Sequence, residues 1–358
     1  LRGLGGGESV EALKSKNNVF KIGDAIKFNQ DLFAVFNTDL NLAPRLGVPV
    51  HGIIGYDVFK DFVVELNYSS KFIRLTEPDS FRYKPCKSCE QFNLEYYNNK
   101  PYIYADVVIK EEKIPVKLLI DSGGSDSLWL FEDDSLGITS NSKYFDDFLG
   151  HALNGSVYGK RSRVKTFSLK SFNMKGVNVS YPDSESIIFA QKIKGRNGSL
   201  AGNVLKRFNV VFDYRKRLLT LKKNRFYKDQ FNYNKSGIEL AHEGTRLVKV
   251  VASRNKRQSG FPRSDETHGN ITINMNEGYR LALMPAFVIV ELRENSPAKI
   301  AGLQQGDMIL SINGNDTKQF SLQQIIQMFY DDTGKKIKLR IDRNGQIMNF
   351  SFLLKGWV

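Results

Sequence analysis

The sequence predicts a mainly β chain in which two related β-lobes are followed by a smaller α+β module. Three observations predict it: a long internal repeat at a fixed offset, an apolar strand that runs directly into an Asp-Ser-Gly-Gly loop, and a carboxyl-terminal run with its own turn and helix signals. At 358 residues the chain exceeds one ordinary compact domain. With 41% apolar and 25% charged residues it has enough apolar side chain to fill several cores.

The repeat supplies the architecture. Gly55 leads through Tyr56-Asp57-Val58-Phe59 to Phe62, then to Val63-Val64-Glu65-Leu66-Asn67-Tyr68 and, after a turn, to Phe72-Ile73-Arg74-Leu75. The pattern recurs as Gly202, Asn203-Val204-Leu205, Phe208, Asn209-Val210-Val211-Phe212-Asp213-Tyr214 and Leu218-Leu219-Thr220-Leu221. Phe62 and Phe208, Tyr68 and Tyr214, and Leu75 and Leu221 are each 146 residues apart (208 − 62, 214 − 68, 221 − 75). Each copy reads as an apolar pair and Gly, one helical turn, a strand, a turn and a second strand. The apolar pairs are Ile53-Ile54 and Leu200-Ala201.

Upstream of the second copy, Tyr102 to Ile109 has strand character, Lys110 to Lys113 is a polar turn, and Ile114 to Ile120 is the return strand of a hairpin. The return strand ends in Asp121-Ser122-Gly123-Gly124-Ser125. The strand fixes the carboxylate, the glycines permit tight backbone, and Ser122 offers a short hydroxyl. These residues resemble the retropepsin family, whose Asp-Thr/Ser-Gly loop is followed later by an apolar pair and Gly. The resemblance spans roughly residues 1–226.

That resemblance implies two retropepsin-like (acid-protease) β-lobes with Asp121, Ser122 and Gly123 as catalytic residues. In such a site two loops meet on a two-fold and their carboxylates share one proton. At ~3 Å separation they repel by about 5 kcal/mol at an effective dielectric near 20, so the second is hard to ionise. The ionised carboxylate activates water and its protonated partner polarises the scissile carbonyl. No cofactor and no metal is called for. At the repeat offset the counterpart of Asp121 would precede Leu1, so the expectation is an upstream segment with a second Asp-Thr/Ser-Gly loop, or a homodimer pairing two copies of Asp121. Asp24 and Asp39 lack the hydroxyl-Gly pair and read as turn or strand-end residues. The same fold places a flap over its substrate; Gly5 and Gly6 in the first lobe and Leu149 and Gly150 in the second stand where it is expected.

The carboxyl-terminal run Ser296-Pro297-Ala298, Ala301-Gly302-Leu303, Gly306-Asp307 and Asn313-Gly314 reads as a capped short helix ended by Gly, a Gly-Asp turn, an apolar strand and an Asn-Gly turn. It resembles the PDZ family, in particular its bacterial protease-associated members. Leu322 to Phe329 has helical apolar spacing and Ile337 to Ile341 alternates as a strand. The resemblance implies a peptide groove between that helix and a strand, with Gly237, Ile238, Leu240, Leu322, Ile325 and Ile326 as its residues. Ser236 to Leu240 is the expected carboxylate-binding loop, separated from the rest by an insertion near 254–278. The expected domains are a first lobe over 1–80, a linker over 81–92, a second lobe over 93–226, and the PDZ domain over 236–358, with a further aromatic and polar linker from Tyr227 to Asn234.

The formal charge of +14 is spread along the chain without a recognition helix or zinc-finger spacing, which argues for a solvated basic surface and against a nucleic-acid partner. No apolar run has membrane-spanning length. Cys86 and Cys89 read as a local loop disulfide or two idle thiols, and the disulfide would favour an oxidising compartment. With the bacterial resemblance, the expected location is extracytoplasmic, periplasmic or secreted. The expected function is an aspartic-type endopeptidase that cleaves a polypeptide substrate, with a PDZ module that recruits or regulates. The alternative is a catalytically inactive peptide-binding scaffold, and a third reading is a basic nucleic-acid-associated protein.

Overall fold

The structure, a computed structural model, describes residues 9–36, 41–140, 143–152, 155–193, 195–251 and 279–356. It is mainly β, with an α+β unit at the carboxyl end. The amino-terminal part begins with a hairpin of β1 (Leu13–Ile22) and β2 (Ala25–Ala34), turned at Gly23-Asp24. The short helices α1 (Ala43–Leu46) and α2 (Tyr56–Phe59) precede β3 (Val63–Asn67) and β4 (Phe72–Thr76). A disulfide joins Cys86 to Cys89 just as β5 (Cys89–Asn93) begins.

The middle of the chain builds β6 (Glu95–Tyr97), β7 (Lys100–Ile109), β8 (Glu112–Asp121), β9 (Leu128–Leu130), β10 (Phe145–Ala152), β11 (Gly155–Leu169) and β12 (Phe172–Pro182). Helix α3 (Ser184–Gln191), β13 (Gly198–Ala201), α4 (Gly202–Leu205), β14 (Phe208–Asp213) and β15 (Leu218–Lys223) complete it. The expected Tyr102–Ile109 hairpin is β7 and β8. Lys110 and Glu111 both take positive φ at its two-residue turn, the twist that lets antiparallel strands continue without splaying. The sheet order is β10-β11-β12-β9-β13-β8-β7-β6, and β11 also pairs with β7, so six of these strands close into a barrel. Alternating positions of its strands send Val107, Leu118, Leu128, Val164, Phe167, Val179 and Leu200 into one apolar core.

A second sheet, ordered β4-β3-β14-β15-β5, is made of both repeat copies. The equivalent strands β3 and β14 pair antiparallel, and Glu65 faces Val211. Those two residues are themselves separated by the repeat offset (211 − 65 = 146), so a local two-fold passes through that pair. The copies differ in one respect that the repeat does not predict. Leu200 and Ala201 are buried in β13 between β8 and β9, whereas Ile53 and Ile54 are exposed and outside any strand, because no strand among the described residues flanks them.

The carboxyl-terminal unit consists of β16 (Ile238–Val251), β17 (Tyr279–Leu292), α5 (Pro297–Ile300), β18 (Met308–Ile312), β19 (Asn315–Asp316), α6 (Leu322–Met328), β20 (Lys336–Arg343) and β21 (Gln346–Leu353). Its sheet order is β16-β17-β18-β20-β21, with β19 against β18. The insertion expected near 254–278 lies outside the described residues; β16 and β17 enter and leave it as one long antiparallel ribbon. Asp307, from the Gly-Asp turn, is fully buried and is matched by Arg343, whose guanidinium donates to both carboxylate oxygens at 2.6 and 2.8 Å. The stretch from Tyr227 to Asn234 is not a free linker. Phe231 and Tyr233 are buried and the Arg207 guanidinium stacks on the Phe231 ring, because burying aromatic area outweighs leaving this segment solvated.

Candidate functional site

Two places carry recognisable chemistry: the loop after β8 and the space between β16 and α6. Asp121 ends β8 beside Ala201 of the parallel strand β13. Its Oδ1 accepts from the backbone N–H of Gly123 at 3.0 Å and of Gly124 at 3.2 Å. Gly202 N donates to Gly124 O at 2.8 Å, and a Cβ on Gly202 would lie only 2.6 Å from that oxygen. This close approach explains why the apolar pair is followed by glycine. Ser122 and Gly123 are exposed, and Asp121 is half-buried. Lys100 and Arg196 are close enough to feel its charge: burial lowers the pKa of both, and Asp121 pulls each back up.

Among the described residues, the hydrogen-bond partners of the Asp121 carboxylate are these two loop amides. Asp24 forms part of the β1–β2 turn. Asp39 lies outside the described residues. A further Asp-Thr-Gly string, Asp332-Thr333-Gly334, forms the turn before β20 in the carboxyl-terminal unit, where Gly334 takes a φ of 88°. Gly5 and Gly6 lie outside the described residues. Leu149 and Gly150 sit on β10 in the β10–β11 hairpin, Leu149 buried and Gly150 at a bulge in the register.

Five residues past Asp121, Asp126 opens a charge network that the sequence reading missed. Its Oδ2 accepts from Trp129 Nε1 at 2.6 Å and Ser180 Oγ at 3.0 Å, and its Oδ1 from Arg161 at 2.7 Å. Arg161 also donates to Asp147 at 2.8 Å, and Asp147 accepts from Arg293 of the carboxyl-terminal unit at 3.4 Å. Burial opposes the charge of Arg161, but Asp126 and Asp147 outweigh it and hold the guanidinium above its ordinary pKa. For Arg293 burial wins, and its pKa falls despite Asp147. Glu239 on β16 is pushed up to about 7, first by burial and then by Asp147. The network therefore ties the Asp121 loop to the start of β16. Arg161 is 35 residues from Asp126 and Arg293 is 146 from Asp147, separations at which no local sequence signal exists.

At the carboxyl-terminal unit, β16 is an edge strand: β17 pairs on one side and, among the described residues, no strand pairs on the other. Helix α6 packs against β16, as does α1, and α6 is capped by Ser321 and Gln324 in a reciprocal capping box worth ~1 kcal/mol. Ile238, Leu240, Leu322 and Ile325 are fully buried in the core between strand and helix, while Ile326 is half-exposed. Gly237 takes a φ of 83° at the entry to β16. The Asn234 side chain organises this entry, its Oδ1 accepting from Ser236 N at 3.0 Å and Gly237 N at 3.2 Å. An Asn two and three residues before Ser-Gly is an Asx-turn pattern, the signal that would have found it.

Residues 288–343 match the PDZ domain family. The match begins within β17 and ends with β20. Solved structures similar to this chain include the HtrA-type protease AlgW with a decapeptide, at 10% identity over 80% of this chain and 85% of that one, with a TM-score of 0.25. A variant of the same protease with a decapeptide matches at 13% identity over 76% and 79%, TM-score 0.25. The variant with a tripeptide matches at 13% over 78% and 68%, TM-score 0.20. These neighbours are HtrA-type proteases and not retropepsins, and the expectation of an aspartic endopeptidase centred on Asp121 is not carried further. The alternative of a catalytically inactive scaffold is no better supported. Among the described residues, no group of three or more His, Cys, Asp and Glu side chains gathers to hold a metal ion, and no helix is long and apolar enough to cross a membrane.

Proposed function

We propose that this protein captures extended polypeptide at its PDZ unit, the bound segment adding to the outer edge of β16 beneath α6. The observation that carries this reading is an edge of β16 that no described strand pairs, packed with α6, a helix within the PDZ match. A strand whose N–H and C=O groups are open on one side gains main-chain hydrogen bonds from any extended chain, and neighbouring side-chain pockets set preference. Gly237, Ile238, Leu240, Leu322, Ile325 and Ile326 form that strand–helix seam. Ile326, half-exposed, meets the ligand, and the buried members shape the floor.

The domain division that accompanies this proposal is 1–80, 93–226 and 236–358, with the two amino-terminal units sharing the β3–β14 seam. The proposed location is extracytoplasmic, supported by the Cys86–Cys89 disulfide, since such bonds persist in oxidising compartments. The test is fluorescence anisotropy of a labelled, reduced and carboxymethylated polypeptide titrated with the full chain, alongside Ile326→Arg. A charge forced into the apolar seam is expected to weaken binding by about tenfold or more. Unchanged affinity in Ile326→Arg would remove the groove from the account.

A further inference from the structure

We infer that the groove selects internal segments of a polypeptide and rejects free carboxyl termini, because Asn234 already occupies the amide cradle that a terminal carboxylate would need. This rests on polypeptide capture by the groove, proposed above. A carboxylate taken out of water needs several converging N–H donors in place of its hydration. Three consecutive amides stand at the end of β16: those of Ser236, Gly237 and Ile238. The loop that bears them is tied to the end of α6 by Lys235 N, which donates to Phe329 O at 2.9 Å.

All three amides are spent inside the protein. Asn234 Oδ1 accepts from Ser236 N at 3.0 Å, Gly237 N at 3.2 Å and the Ser236 hydroxyl at 2.8 Å. Ser236 Oγ in turn accepts from Ile238 N at 3.0 Å. The Asn234 amide oxygen thus stands where a ligand oxygen would. It is fixed from its other end as well: Asn234 Nδ2 donates to Ile238 O at 2.7 Å, and Arg293 donates to the Asn234 carbonyl at 2.7 Å.

The loop cannot back away to make room. Ser236 is fully buried and its carbonyl accepts from Ala298 N, and a Cβ added to Gly237 would sit 2.2 Å from Ser296 Cβ. An internal segment brings no terminal charge and needs only the β16 edge.

The seam also meets this chain's own residues: α1 packs on β16, Gln323 Nε2 donates to Leu46 O, and Gly47 is pressed against Leu322 so closely that a Cβ would lie 2.7 Å from Leu322 Cβ, so a ligand must displace or share this contact.

Two random hexapeptide libraries panned on the full-length chain test the inference, one ending in a free carboxylate and one embedded between flanking residues. Enriched sequences are then synthesised as free acid and as amide and titrated. The expected result is enrichment from the embedded library and less than a twofold difference between acid and amide. Asn234→Ala, verified as folded by its melting curve, is expected to gain at least fivefold for the acid alone. Free acids that bind tenfold tighter than their amides to the unaltered chain would overturn the inference and leave polypeptide capture standing. Enrichment from neither library would overturn both.

Discussion

The charge network between the barrel and the PDZ unit makes a quantitative demand. Replacing Arg161 with Leu removes the donor that bridges Asp126 and Asp147 and leaves two carboxylates facing one another across an apolar side chain. Arg161 is 12% exposed, Asp126 18% and Asp147 13%, so water restores little of what is lost. Removing one partner from such a buried pair costs about 3–5 kcal/mol. The lower end applies, because Asp126 keeps Trp129 Nε1 and Ser180 Oγ and Asp147 keeps Arg293. About 3 kcal/mol corresponds to a melting decrease of about 6–12 °C for a folding unit of this size. Calorimetry of the full chain measures it. Adding Asp126→Asn to Arg161→Leu should recover about 1 kcal/mol or more, since the carboxylate that Arg161 alone had matched is then neutral while Asp147 keeps Arg293. An Arg161→Leu protein that melts within 2 °C of the parent would refute the argument that these pairs are buried and mutually dependent.

Three further outcomes follow from local geometry. Gly198→Ala places a Cβ 1.8 Å from the Trp129 carbonyl oxygen inside the barrel, so it should cost at least about 3 kcal/mol or prevent folding, read by denaturant titration. Glu239 holds its proton to about pH 7 when folded but releases it near its ordinary value when unfolded, so the parent loses stability as pH rises between those values. Glu239→Gln should therefore gain stability over the parent as pH goes from 5 to 8, and a constant difference would contradict the burial of that carboxyl. Arg343→Lys keeps the charge but loses the two-pronged contact with buried Asp307; it should destabilise the PDZ unit by about 2 kcal/mol, with Asp307→Asn/Arg343→Met recovering part.

Much of the architecture was legible because the relevant signals are short-range or periodic. The repeat places Glu65 and Val211 as equivalents, and the structure pairs them face to face. The polar turn at Lys110 and the alternation on either side of it specify the β7–β8 hairpin, and the Gly-Asp and Asn-Gly turns specify β18 and its neighbours. The Asp121 loop stands at the end of its strand as read, and its Oδ1 accepts from its own loop amides. A tripeptide that caps a strand end has the same sequence whether or not it does chemistry, which is how the aspartic reading arose. Arg161, Asp147 and Arg293 were invisible because each meets its partner across sheet pairings far apart in sequence. Ile53 and Ile54 match Leu200 and Ala201 in sequence but not in burial, because apolar character alone does not supply a neighbouring strand.

The central claim is that polypeptide adds to the edge of β16 beneath α6. Hydrogen exchange of the full chain, with and without saturating reduced, carboxymethylated polypeptide, tests it most directly. The account predicts slowed exchange at the amides of β16 from Glu239 onward and in α6, with the barrel unchanged. Protection confined to the barrel strands, or absent from β16, would contradict it.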